Sequence, residues 1–306
     1  MKKAKKSILS NPTIMLIFSI ILLSFSPLFI HWADAPGIVA SFYRMTIAFF
    51  FLAPFYFKFA KSKPFINHPK PGKFQILLPI GAGVLSALDH SFWSSALKQT
   101  SVANATLLNY ISPLWVSIIA ILILKENYKG RYWLGLLCVF LGTASVLNLS
   151  NENLTFKLAG EGFAIISSVF YAGYFLISQK SRGVFTTFQH LFISLFSCCI
   201  TLGLIILMSG LPIVGYSRLT FLMFFMSGLI SQLLGYYCLS YALGKIPASI
   251  VSPSLALQPV ITAILAIPLA KQSLSLPQII GGILVIAGIV IINLSKNYAS
   301  SPIDDE

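Results

Sequence analysis

Three ionisable residues sit deep inside long apolar runs of this chain: Arg44, Asp89 and His90. A charge inside an apolar helix is costly to bury, so each is a functional candidate by default. Arg44 lies eight residues past Pro36 and Asp89 nine residues before Lys98. At 1.5 Å of helix per residue, those offsets put them about 12 Å and about 13 Å from the same membrane face. The two are therefore expected to approach each other. They would form either a static ion pair joining consecutive helices or a charged pair lining a cavity. His90 follows Asp89 and points about 100° away from it. A histidine titrates near neutral pH, which suits a coupling proton. His190 and Glu161 fall near helix ends and read as an interfacial residue and a snorkelling or capping acid.

A second group is polar but uncharged, or aromatic. Trp93, Asn109 and Tyr110 come from the first half of the chain, Tyr237 and Gln258 from the second. Asn109 and Tyr110 just precede Pro113, and Gln258 adjoins Pro259. A proline inside a helix removes a backbone hydrogen bond and frees a carbonyl, which is tolerated in a membrane only where protein or a cavity covers it. These five are the candidate substrate-binding residues. Interhelical hydrogen bonding of the amides and plain packing of the rings are the alternatives. The sequence holds no phosphate-binding loop, no H-E-x-x-H and no G-x-S-x-G, so no catalytic residue, metal ligand or cofactor is expected. Cys138, Cys198, Cys199 and Cys238 lie within apolar runs and read as small buried residues.

These residues must be positioned by membrane helices. The 306 residues are 57% hydrophobic and only 9% charged, against about 25% charged in soluble domains. The apolar runs are long and unbroken, which selects helices over barrel strands. Ten runs can be read, over roughly 13–31, 36–57, 74–96, 101–124, 131–149, 158–179, 188–210, 219–243, 247–270 and 276–295. The net charge of +13 resides in short loops without interleaved aromatics, which favours lipid headgroups over nucleic acid. With the N-terminus in the cytoplasm, sixteen basic residues fall inside. Only Lys98, Lys157, Arg218 and Lys271 fall outside, and Arg44 lies within a span. Both termini are therefore expected in the cytoplasm, with the chain in the cytoplasmic (inner) membrane. Lys2 to Lys6 and the apolar run Ile14 to Ile30 resemble a leader. Pro36 directly after Ala33-Asp34-Ala35 disfavours cleavage, so the run is expected to stay as the first span.

The halves match at an offset of 146 residues without a gap: Phe42 with Phe188, Ala96-Leu97 with Ala242-Leu243, Pro113 with Pro259, Gly135 with Gly281 and Gly142 with Gly288. Five spans per half is an odd number, so the second half is inverted. The expected fold is all-α integral membrane, ten transmembrane helices as two inverted five-helix repeats. The first repeat covers 13–150 and the second 157–296, flanked by cytoplasmic segments 1–12 and 297–306. Gly135 with Gly142, and Gly281 with Gly288, each share a helix face. This suggests close helix contact at the periphery, with a homodimer as one use.

The segments PGIVASFYR at Pro36 to Arg44, ALKQTSVANATLLNYISP at Ala96 to Pro113 and ALGKIPASIVSPSLALQP at Ala242 to Pro259 resemble the drug/metabolite transporter superfamily, in its ten-helix EamA-type branch. That family often carries a Gly-Glu pair after spans 4 and 9. Here the first copy is Lys125-Glu126 and the second is Lys271-Gln272, so the second lacks the acid. The resemblance implies a central cavity and export or exchange of metabolites or drug-like solutes. The expected function is secondary transport of a small solute by alternating access. Few intramembrane cations point to a neutral, zwitterionic or aromatic solute. A proton is the candidate coupling ion. An intramembrane enzyme or a channel-like facilitator is the alternative.

Overall fold

The computed structural model describes residues 11–60, 72, 74–100, 102–147, 158–270 and 274–295. The terminal segments 1–10 and 296–306, and Lys271-Gln272, lie outside the described residues. Every regular element among those described is helical: α1 (Pro12–Leu23), α2 (Ser26–Trp32), α3 (Gly37–Phe55), α4 (Leu77–Leu97), α5 (Val102–Asn109), α6 (Ser112–Leu124), α7 (Gly130–Val146), α8 (Leu158–Arg182), α9 (Thr187–Ser209), α10 (Arg218–Met226), α11 (Tyr236–Leu243), α12 (Ala248–Ser254), α13 (Leu257–Ala270) and α14 (Leu276–Ser295). Two π-helical stretches, Tyr56–Ala60 and Ser227–Gly235, continue α3 and join α10 to α11.

Among the described residues, eight continuous stretches are long and apolar enough to cross a membrane. α7, at 17 residues, is apolar but shorter. α4 spans 21 residues but carries Asp89, His90 and four serines, which lower its hydropathy. The breaks have local causes. Ser112-Pro113 opens α6 immediately after the interruption at Tyr110 and Ile111. α12 gives way to α13 at Leu255 and Ala256, just before Pro259. The two breaks thus occupy nearly matched positions of the repeat. α9 starts with a capping box, in which the Thr186 hydroxyl accepts from Gln189 N–H and the Gln189 side chain accepts from Thr186 N–H, at 3.3 and 3.1 Å. It stops at Gly210, whose φ of +63° suits glycine. α6 ends on Lys125, a non-glycine residue at φ +55°.

α4 packs against α8 and α9, α3 against α9 and the second π stretch, and α1 against α11. The core among them holds Val39, Met45, Ala48, Phe175, Leu202 and Leu239. α7 and α14 pack mainly on each other. A Cβ built on Gly135 would come within 2.8 Å of the Gly288 carbonyl oxygen, and one on Gly142 within 2.7 Å of that of Gly281. The glycine faces therefore do mediate close contact, but within one chain. Because the partners run in opposite order, the helices are antiparallel. A dimer can no longer be argued from those faces, since each already covers the other. The outward sides of both helices expose aliphatic stripes, including Leu134, Leu137 and Leu141 on α7.

Candidate functional site

α3, α4, α5 and α8 bring the charged residues to one region. Arg44 is 7% exposed and Asp89 5%. The Arg44 guanidinium donates to Ser26 Oγ of α2 at 2.9 Å and lies 3.1 Å from His90 Nε2. A guanidinium can only donate, so His90 Nε2 accepts and carries no proton in this arrangement. Asp89 faces the other way. Its Oδ1 accepts from Asn109 Nδ2 at 2.9 Å and from Ser167 Oγ at 2.5 Å, and the same Asn109 amide donates to Ser167 Oγ at 2.7 Å. Among the described residues, no hydrogen bond joins Arg44 to Asp89. The expected direct pair is instead two adjacent clusters, one through His90 and one through Asn109 and Ser167. The turn of about 100° between neighbouring residues is the reason. It sends His90 towards α3 and Asp89 towards α5 and α8.

Tyrosines surround these clusters. Tyr236 of α11 adjoins Tyr171 of α8 and lies within electrostatic reach of Arg44 and Asp89. Tyr171 is likewise near Asp89 and Tyr110. Tyr174 sits 6.0 Å, centroid to centroid, from Tyr236. Several buried polar atoms on α3 and the second π-helical stretch have no hydrogen-bond partner among the described residues, among them Arg44 Nε, Ser227 Oγ and Gln232 Oε1. Such atoms are expensive to leave unsatisfied in hydrocarbon. No group of His, Cys, Asp and Glu among the described residues could hold a metal.

A profile of the EamA-like transporter family matches residues 10–148 and again residues 158–294. The chain belongs to this family. As an EamA-like protein it is similar to an uncharacterized transporter of Clostridium kluyveri, with 25% identity over 221 residues, covering 70% of this chain and 71% of the relative. It is also similar to the uncharacterized transporter YyaM of Bacillus subtilis, with 28% identity over 204 residues and coverage of 63% and 65%. A solved crystal structure shares the fold, with a TM-score of 0.76 at 18% identity, over 94% of this chain and 98% of that one. This EamA-like chain is thus a multi-pass membrane protein related to transporters.

The five candidate substrate residues are not gathered into one cluster. Asn109 is central, in the Asp89 network. Tyr110 follows it at the α5/α6 break, packs with the α7 side and comes near Tyr236. Trp93 packs in a separate group with Ala96, Ala105, Ala164 and Phe163. Tyr237 lies 5.0 Å from the Phe188 ring. Gln258 is half-buried just after the α12/α13 break, and its N–H closes onto Leu255 O at 2.9 Å.

Two readings of peripheral residues need correction. His190 is not interfacial: it is fully buried, with Nδ1 2.9 Å from Ser181 Oγ of α8. Depth along one helix does not show that a neighbouring helix covers it. Glu161 keeps the place of a capping acid, in the first turn of α8, but at 6% exposure it is buried and does not snorkel. Arg182, counted in the sequence among loop cations, is buried as well. It donates to the Ser240 and Phe185 carbonyls, tying α8 to α11. Sequence reasoning missed Ser26, Ser167 and Tyr171. A signal for the last two existed, because Ser167, Tyr171, Tyr174, Ser178 and Ser181 follow helical spacing on one face of α8.

Proposed function

We propose that the chain is a secondary transporter of a small neutral, zwitterionic or aromatic solute. In this reading ten spans form two inverted five-helix repeats, both termini are cytoplasmic, and access alternates between the two sides of the inner membrane. The observation that carries the reading is the buried network of Arg44–His90 and Asp89–Asn109–Ser167 beside the α5/α6 break. It holds one cation and one acid, both buried, close to each other in the middle of the bundle. Neither has a stability role that apolar packing could not serve more cheaply. The inversion draws support from α7 and α14, repeat mates that meet antiparallel with Gly135 on Gly288 and Gly142 on Gly281.

In this scheme Asn109 and Tyr110 contact the solute, with Tyr171 and Tyr236 added to the set. Trp93, Tyr237 and Gln258 line its path. Asp89 and His90 are the candidate groups for a coupling proton, and Arg44 sets the field they share. A polyanion would need several intramembrane cations, and among the described residues the Asp89 cluster has Arg44 as its neighbouring cation. Export or exchange is the expected direction, and the solute leaves chemically unchanged. A thermal-shift screen of the purified protein against pooled metabolites tests the reading, because a ligand that binds the folded state raises its apparent stability. A hit whose shift survives in Trp93→Phe but disappears in Asn109→Ala supports the site. A hit unaffected by Asn109→Ala and Tyr110→Ala would remove it.

A further inference from the structure

Between the α5/α6 break and α7 lies a cavity of about 330 Å³, whose walls include Tyr110, Ile111, Leu114, Trp133, Leu136 and Phe140. That volume falls in the range of ligand pockets. Its place along the helices is telling. Tyr110 to Leu114 occupy the middle of the stretch from Val102 to Leu124, and Trp133 to Phe140 occupy the middle of α7. The cavity therefore lies at the mid-depth of the bilayer. It opens onto the outward stripe of α7, where Leu134, Leu137 and Leu141 are each about half exposed, at 54%, 52% and 51%, and Leu137 also lines the cavity. In a membrane protein that stripe faces lipid.

The chemistry of the walls narrows the occupant. Apart from the Tyr110 hydroxyl and the Trp133 indole, the lining is hydrocarbon. A water cluster would need several polar partners per molecule, which these walls do not offer. The only fluid bordering a lipid-facing stripe at this depth is acyl chain. We propose that this cavity binds one acyl chain of a membrane phospholipid. The chain would insert between α7 and the α5/α6 break and pack against Tyr110 and Leu114.

The site has a consequence for the polar centre. Tyr110 is the neighbour of Asn109, whose amide holds Asp89 and Ser167. Tyr110 and Ile111 also carry the backbone bonds at the break, Tyr110 N–H to Thr106 O at 3.0 Å and Ile111 N–H to Leu108 O at 3.2 Å. A lipid chain seated there supports the wall between the bilayer and the Asp89 network. Displacing it loosens the one place where that helix is already interrupted. The inference rests on the membrane location and not on the identity of any solute.

The test uses the wild-type protein in phosphatidylcholine vesicles containing a phospholipid with a mid-chain diazirine. After irradiation, adducts are mapped by mass spectrometry. Adducts are expected on Tyr110, Leu114 and Trp133 as well as on the stripe outside the cavity, Leu134 and Leu141. The same lipid with its diazirine near the headgroup should leave Tyr110 and Leu114 unlabelled. Leu114→Trp, which fills the cavity, should abolish labelling at Tyr110 while the stripe stays labelled. Labelling of the stripe alone in wild type would overturn the proposal, as would unchanged Tyr110 labelling in Leu114→Trp. Suppression of Leu114 and Trp133 labelling by water-soluble metabolites at constant lipid would assign the cavity to solute and overturn it too.

Discussion

Ser167→Ala offers a quantitative test of the Asp89 network. Ser167 is fully buried, donates to Asp89 Oδ1 at 2.5 Å and accepts from Asn109 at 2.7 Å. Alanine removes both bonds but leaves Asn109 bonded to Asp89, so neither partner is stranded. A hydrogen bond to a charged group contributes about 1.5–3 kcal/mol and a neutral one about 1 kcal/mol. Relaxation of Asn109 recovers part of this, so the expected net cost is about 2–3 kcal/mol. That corresponds to a fall of roughly 5–10 °C in melting temperature. In an Asp89→Asn background the acceptor is a neutral amide oxygen, and the same substitution should cost only about 1 kcal/mol. The coupling between the two positions is then about 1–2 kcal/mol, well above the scatter of independent sites. Thermal unfolding of all four proteins in detergent, followed by size-exclusion of a fluorescent fusion, measures it. Additive effects within about 0.5 kcal/mol would refute the charged network and leave Ser167 as an ordinary packed serine.

Helix contact supplies a second prediction: a Cβ on Gly83 would lie 2.1 Å from the Ser194 carbonyl oxygen, and one on Gly81 no nearer than 3.9 Å to anything. Gly83→Ala should therefore lower the melting temperature by the equivalent of about 3 kcal/mol or more, and Gly81→Ala should leave it equal or raise it; equal stability of the two variants would refute the α4–α9 contact. The exchange Arg44→Asp with Asp89→Arg should not restore folded protein, because arginine at 89 would meet the Asn109 amide donor instead of its acceptor partners. Recovery of wild-type expression in the exchange would mean the two charges pair directly after all. A reporter fused after Glu306 should be active only when it reads the cytoplasm, and activity confined to the outer side would reverse the proposed topology.

Much of the architecture is legible in the sequence because lipid enforces it. Apolar runs set helix positions, and prolines at 113 and 259 mark where two helices break. α4 shows the limit of hydropathy, since the residues that make it interesting, Asp89, His90 and its serines, also make it polar. The glycine register correctly signals a tight contact, but spacing along one helix cannot say whether the opposing surface belongs to the same chain. The Arg44 and Asp89 offsets give height within the membrane and not azimuth. Azimuth decides the partners, so Arg44 meets Ser26 and His90 while Asp89 meets Asn109 and Ser167. Serines are the hardest members of the site to foresee. They are abundant in this chain and often bond their own helix, as Ser41, Ser91 and Ser117 do. Only the helical period of Ser167, Tyr171 and Tyr174 on α8 distinguishes a shared polar face.

In the proposed transporter the Asp89 network belongs to the solute path. Counterflow in proteoliposomes tests it most directly: vesicles are preloaded with the solute found by thermal shift, and uptake of labelled solute is followed in wild type and in Asp89→Asn. The asparagine keeps an oxygen for Asn109 and Ser167 but loses the charge. Saturable counterflow of unchanged solute is expected in wild type, together with its loss in an Asp89→Asn protein that remains folded and monodisperse. Wild-type counterflow in that folded variant, with the same apparent affinity and pH dependence, would contradict it.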